Sequence, residues 1–220
     1  MINDMKIIDD LFDEDVINRI LEVTKNVTFE DGDKTLAAFA KGSKKNKQLL
    51  EHNAPKLIQG LKSILLANQD FHDFTWPSEF GRPTLSKYGV GSFYKWHNDA
   101  AFMGNVRADY SFTIGINSCD EYEGGELRLK TAEGIKEVRL QPGQGIVYST
   151  GLLHEVAEVT AGERFVMIGW IQSRVRDPRH KEVLNSLSSM RKNELSENGR
   201  SETFINLTKV WADLQRLWLS

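Results

Sequence analysis

Apolar positions recur at helical spacing near both ends of the chain and at strand spacing between them. Near the start, Val16, Ile17, Ile20 and Leu21 share one helical face behind Asp13, a suitable N-cap. A second helix is expected from Asn53, with Pro55 tolerated in its first turn and Leu57, Ile58, Leu61, Ile64 and Leu65 as its apolar stripe. The intervening Lys41-Gly-Ser-Lys-Lys-Asn-Lys47 reads as a basic loop, either a solvated connector or a segment that touches a substrate or partner.

From Arg82 to Gln172 the period shortens. Tyr110, Phe112, Ile114 and Ile116 alternate with Ser111, Thr113, Gly115 and Asn117, which gives a strand with one apolar and one polar face. Residues 126–130, 135–140, 145–149, 153–157 and 164–172 also read as strands, separated by turns at Gly124-Gly125, Glu133-Gly134, Pro142-Gly143 and Ala161-Gly162. Short strands at this spacing indicate an antiparallel sandwich or barrel. No Gly-x-Gly-x-x-Gly and no phosphate-loop motif is present, which argues against a nucleotide-binding parallel sheet. After Asp177-Pro178 the helical period returns: Val183, Leu184, Leu187 and Met190 form one stripe, and Phe204, Leu207, Val210, Trp211, Leu214, Leu217 and Trp218 another, joined by the polar stretch 193–202. These stripes either pack on the barrel and on each other or build a homodimer interface.

Composition narrows the class. The 220 residues are 40% hydrophobic and 27% charged, as in ordinary globular chains, so wholesale disorder is excluded. A net charge of -3 argues against a broadly basic nucleic-acid binder. Phe165–Ile171 is the longest apolar run, too short to cross a membrane. One cysteine, Cys119, allows neither an intrachain disulfide nor a cysteine metal cluster. With no signal-peptide pattern at the start, a cytoplasmic location is expected.

Of the five histidines, two stand in chemically loaded surroundings. His97-Asn98-Asp99 is a His-x-Asp, and on extended backbone positions i and i+2 share a face, so imidazole and carboxylate converge. His154 stands near the start of an expected strand. Together they provide two imidazoles and one carboxylate, the facial triad of non-heme Fe(II) oxygenases, with coordination positions left open. His-x-Asp alone is common by chance. Arg164 strengthens the case, because Arg164, Val166, Ile168 and Trp170 share a strand face. Turned inward, the guanidinium enters an apolar barrel, a costly burial unless an anion meets it. A carboxylate held by two hydrogen bonds suits it, and 2-oxoglutarate supplies an α-keto acid for the iron and a distal carboxylate for Arg164. The competing account of Arg164 is a salt bridge to Glu163 or another acid. Trp76, Trp96 and Tyr94 flank the ligand region as a substrate platform or as ordinary packing. His52, His72 and His180 lack metal-like company, and Cys119 reads as a small residue at a strand end.

The order of motifs resembles the Fe(II)- and 2-oxoglutarate-dependent dioxygenases of the prolyl 4-hydroxylase type, and more narrowly the bacterial PKHD-type hydroxylases that include the PiuC-like proteins. The resemblance runs through Lys45-Asn-Lys-Gln-Leu49, Asn68-Gln-Asp-Phe71, Leu85-Ser-Lys-Tyr88-Gly-Val-Gly91, His97-Asn-Asp99-Ala-Ala101, Val106-Arg-Ala-Asp109-Tyr-Ser111, Asp120-Glu-Tyr-Glu-Gly-Gly-Glu-Leu127, Leu140-Gln-Pro-Gly143, Leu153-His154-Glu-Val156, Val159-Thr-Ala-Gly-Glu-Arg164 and Trp170-Ile-Gln-Ser-Arg-Val-Arg176. It implies a mainly β fold with flanking helices: a double-stranded β-helix, or jelly roll, with N-terminal helices in a domain of residues 1–176, and a small C-terminal helical extension over 177–220. It implies His97, Asp99 and His154 as iron ligands and catalytic centre, Arg164 and Tyr88 as holders of the distal carboxylate of 2-oxoglutarate, and Ser111 and Thr113 on the cosubstrate face. Asn98, Trp96 and Trp170 become candidates for substrate contact. Fe(II), 2-oxoglutarate and O2 are the implied cofactor and cosubstrates, with ascorbate as a further candidate. The implied reaction is hydroxylation of an unactivated C–H, of a prolyl residue at family level, with release of succinate and CO2. Retention of Asp99 favours hydroxylation over halogenation. The partner is a peptide or small-molecule substrate, not nucleic acid or membrane. The chain departs from the family pattern at Asn98 and at Ala100-Ala101, positions that in the family can face the substrate. Two rival classes remain: a zinc hydrolase built on the same three ligands, and a non-catalytic cupin-like metal-binding or sensor module.

Overall fold

In a computed structural model, residues 4–36 and 40–219 are described. Two antiparallel sheets face each other. The larger has seven strands: Met5–Ile8 (β1), Glu30–Asp31 (β2), Lys47–Leu50 (β4), Pro77–Tyr88 (β5), Tyr110–Gly115 (β9), Gly145–Ser149 (β13) and Arg164–Ser173 (β16), in the order β1-β13-β9-β16-β5-β4-β2. The smaller has Lys44–Lys45 (β3), Phe93–His97 (β6), Leu127–Thr131 (β11), Gly134–Val138 (β12) and His154–Val156 (β14), in the order β12-β11-β14-β6-β3. Phe102–Met103 (β7) pairs with Val106–Arg107 (β8), and Tyr122–Gly124 (β10) with Val159–Gly162 (β15). The chain crosses repeatedly between the two sheets, as the expected jelly roll requires.

Alternation on β9 and β16 divides the interior into two cores. Phe112 and Ile114 with Phe165, Met167 and Ile171 point away from the smaller sheet and meet the helices Glu14–Thr24 (α1), Pro55–Ala67 (α2) and Gln69–Thr75 (α3) through Ile17, Ile20, Ile58, Leu61, Leu65 and Phe71. The opposite face of β16, through Val166 and Ile168, packs between the sheets with Leu127, Leu129, Ile146, Tyr148 and Val156. Asp13 caps α1 as expected, accepting from the Val16 amide at 2.8 Å. The second helix starts at Pro55, close to the expected Asn53.

Three expectations are corrected. The basic segment is not a loop throughout: Lys44–Lys45 and Lys47–Leu50 pair with β6 and β5, in different sheets. The stretch from Pro77 is a strand ahead of the expected change of texture at Arg82. The polar stretch 193–202 is not mainly a connector, because the helix Pro178–Asn198 (α4) runs through most of it before Glu202–Trp218 (α5) begins. Polar residues there form a solvated helix face.

The last two helices attach to the barrel through Trp76, Val175 and Leu184, against Trp211, Leu214, Trp218 and Leu219. Lys181 is buried there, donating to the Phe74 carbonyl at 2.7 Å and to the Tyr110 hydroxyl. Burial lowers its pKa from 10.5 to about 8, against the pull of Asp109 and Glu182. Between these two values the unfolded chain holds a proton that the native state has released, so native stability rises with pH across that window. Lys181→Met removes this contribution. The melting temperature of the variant relative to the parent is therefore expected to fall as pH rises from about 8 to 10.5, and to be flat below about pH 7. An offset that is constant with pH contradicts a desolvated ammonium at this position. Among the described residues, no helix is long and apolar enough to cross a membrane.

Candidate active site

The site forms where β6 and β14 run side by side. His154 opens β14 directly opposite His97 at the end of β6, whereas Val156 pairs with Tyr94. Two steps on β14 thus span three on β6, a bulge that turns Tyr94 and His97 to the same side. Their rings stack with centroids 3.5 Å apart. Asp99 follows on the extended segment after β6, and one ligand atom from each of His97, Asp99 and His154 lies within 4.8 Å of the others.

The donor atoms are set for a metal. His97 Nδ1 lies 2.7 Å from the Lys95 carbonyl and His154 Nδ1 2.8 Å from the Leu152 carbonyl. Each contact keeps the proton on Nδ1 and leaves the Nε2 lone pair free. The two Nε2 atoms face Asp99 at 3.7 and 3.6 Å, too long for hydrogen bonds and suited to ligands sharing one ion. Burial, and then the neighbouring His154, holds His97 below its ordinary pKa, so it stands neutral as a ligand must. Two imidazoles and a carboxylate match the facial set for Fe(II). Asp99 is fixed by two donors on Oδ2, Ser111 Oγ and Trp170 Nε1, each at 2.8 Å. Sequence reasoning placed Ser111 on the cosubstrate face and Trp170 near substrate. The bonds of both to Asp99 depend on the pairing of Ser111 with Trp170 across β9 and β16, which no local pattern reveals.

Arg164 is only 4% exposed and pairs with Tyr88 across β16 and β5, its guanidinium 5.2 Å from the Tyr88 ring centroid. A salt bridge to Glu163 does not form; Glu163 pairs with Lys87 at 3.3 Å instead. Among the described residues no carboxylate forms an ion pair with Arg164. Burial raises the pKa values of Tyr88, Tyr122 and Tyr148, partly offset by Arg164, so the guanidinium is surrounded by neutral phenols. Gly125, at φ +67, leaves room for it: a Cβ there would lie 3.1 Å from Arg164 Cδ. Burying a cation without a counterion is costly, and an anion in the pocket would offset that cost.

One pocket of about 640 Å³ joins the two parts, lined by the three ligands, Arg164, Tyr88, Ser111 and Thr113, and also by Asn98 and Trp170. Trp96 does not line it; its ring carries the Lys130 ammonium at 4.8 Å. Trp76 is likewise away from the site, its Nε1 donating to Asn185 at 2.9 Å. Tyr94 lines the pocket, as does His52, a histidine without metal-like company in the sequence.

A model of the 2OG-Fe(II) oxygenase superfamily matches residues 83–172, the segment carrying the triad and Arg164. A PKHD-type hydroxylase of Idiomarina loihiensis is 37% identical over 206 residues, 94% of either chain. Another, of Acaryochloris marina, is 34% identical over 213 residues, 96% of this chain and 97% of that one. The chain belongs to the PKHD-type hydroxylases. A crystal structure of a Pseudomonas putida prolyl-4-hydroxylase matches with a TM-score of 0.58 at 18% identity, over 78% of this chain and 93% of that one, which shows the shared fold.

As a member of the 2OG-Fe(II) oxygenase superfamily, this PKHD-type hydroxylase uses Fe(II), 2-oxoglutarate and O2. The donor set of its pocket fits that ion. The pocket volume lies in the range of sites for molecules larger than a five-carbon diacid, so the cavity has room for a second reactant.

Proposed function

We propose that the chain hydroxylates a substrate C–H, with His97, Asp99 and His154 holding Fe(II), and Arg164 and Tyr88 receiving the distal carboxylate of 2-oxoglutarate. The observation that carries this reading is the coexistence, in one pocket, of a preset two-histidine, one-carboxylate cluster and a buried guanidinium without an acidic partner. Thr113, on the inward face of β9, lines the cosubstrate side, and Asn98 and Trp170 face the substrate. Residues 1–176 act as the catalytic unit and 177–220 as an extension packed on it. The iron, when bound, supplies oxygen activation coupled to decarboxylation of 2-oxoglutarate, giving succinate, CO2 and a hydroxylated product. The protein's own residues bind and orient. Ser111 and Trp170 hold the Asp99 carboxylate, the two backbone carbonyls hold the imidazole tautomers, and Arg164 sets the direction of the cosubstrate.

A zinc hydrolase needs a further carboxylate as general base. Besides Asp99, the acid among the described lining residues is Glu51, already paired with Lys62 at 2.7 Å. A peptide prolyl residue is the substrate class suggested by the Pseudomonas putida neighbour. The test is mass spectrometry of prolyl peptides, with free and with amidated C-termini, incubated with protein, Fe(II), ascorbate, 2-oxoglutarate and isotopically labelled dioxygen. One labelled oxygen per peptide, with matching succinate, is expected. Succinate without any oxidised peptide overturns the prolyl assignment. Removing one support of Asp99, by Trp170→Phe or Ser111→Ala, is expected to weaken metal binding on the order of tenfold or more, because such outer hydrogen bonds orient the ligand. Unchanged metal titrations in both variants contradict that role.

A further inference from the structure

Accepting this 2-oxoglutarate-dependent reading, the pocket carries two further cations that the chemistry above does not use. Lys44 is 6% exposed, on the edge strand β3 opposite Tyr94, and lines the pocket. Its Nζ donates to Thr35 Oγ1 at 2.7 Å and lies 5.2 Å from the centroid of the Tyr94 ring, which itself stacks on His97. Among the described residues no carboxylate forms an ion pair with it. Lys181, the other deeply buried lysine, has two oxygen acceptors. Lys44 has one neutral acceptor and donors to spare beside a cavity. Burial brings its pKa down to about 8, against the attraction of Asp33 and Asp99. Lys44 stands against Tyr94 on the smaller sheet, whereas Arg164 stands against Tyr88 on the larger one.

Arg82 is the second cation. It lines the same pocket, is exposed, and makes no ion pair among the described residues. Ile168 pairs with Thr84 and Trp170 with Gly81, so β5 bulges at Arg82-Pro83, and Arg82 sits at φ +45. An arginine in left-handed backbone at a bulge is held there at some cost, as is common where a side chain is aimed at a ligand. Glu51, the acid on this side, is already neutralised by Lys62.

We propose that Lys44, assisted by Arg82, is a specificity determinant that receives a carboxylate of the substrate, so that the enzyme oxidises carboxylate-bearing molecules in preference to their neutral analogues. The pocket lining also includes Leu36, Leu50, Phe102 and Met103, so the expected substrate is an acid on an otherwise apolar body.

The test is calorimetric titration of protein loaded with zinc in place of iron and saturated with 2-oxoglutarate. The probes are matched acids and amides: L-proline with L-prolinamide, and N-acetylproline and N-acetylleucine with their amides. At least one acid is expected to bind about tenfold or more tightly than its amide, the scale of one charge-assisted hydrogen bond. Lys44→Met is expected to erase the difference, and Lys44→Arg to keep most of it. Acids and amides that bind alike, or no binding by any acid, overturn the proposal. So does a Lys44→Met variant that loses 2-oxoglutarate affinity but keeps the preference for acids, since Lys44 would then serve the cosubstrate. Succinate formation by the iron-loaded wild type is measured alongside. Its absence defeats the underlying reading, whereas its presence without acid preference defeats only this one.

Discussion

His97→Ala, Asp99→Ala and His154→Ala each reduce turnover to background, and equilibrium titration shows the cause as loss of Fe(II). Each substitution removes one of three protein donors. The other two cannot compensate, because their orientation is fixed from outside: the imidazoles by the Lys95 and Leu152 carbonyls, the carboxylate by Ser111 and Trp170. Asp99→Ala has a second consequence. It leaves the Trp170 indole N–H without its acceptor. A variant that retained iron at parental affinity would remove that residue from the ligand set.

Arg164→Ala gives the second large effect, in a different observable. The dissociation constant of 2-oxoglutarate rises on the order of 10- to 100-fold or more, the value of one or two charge-assisted hydrogen bonds. Iron affinity stays near that of the parent, because Arg164 belongs to the tyrosine cluster and touches none of the ligands. Stability does not have to fall, since an uncompensated buried cation is removed. Direct titration of each ligand on anaerobic protein separates these outcomes. Equal iron loss in Arg164→Ala and His97→Ala would show that the two ends of the pocket had been assigned the wrong roles.

Much of this was legible in the sequence because it rests on local period. The alternation from Tyr110 to Asn117 tells which side chains face the helices and which face the pocket, and the structure keeps Phe112 and Ile114 on one side with Ser111 and Thr113 on the other. The same period on β16 places Arg164 inward. What escaped rests on irregularity or on register between distant strands. The bulge on β6 brings Tyr94 onto His97, although a regular strand would set them on opposite faces. Pro83 and the left-handed Arg82 disguise β5, a central strand. The run of lysines reads either as a solvated connector or as a contact segment, and the burial of Lys44 within it follows from β3 being pinned to β6 while β4 continues on the other sheet. Trp170 reaches Asp99 only because Trp170 pairs with Ser111.

The most direct measurement mixes wild-type protein anaerobically with Fe(II) and 2-oxoglutarate, admits air, and follows succinate without added substrate. Succinate that forms only when iron, 2-oxoglutarate and air are all present, and that disappears in His154→Ala, is the predicted result. Tight iron binding with no succinate under any combination would leave a metal-binding jelly roll and contradict the enzymatic account.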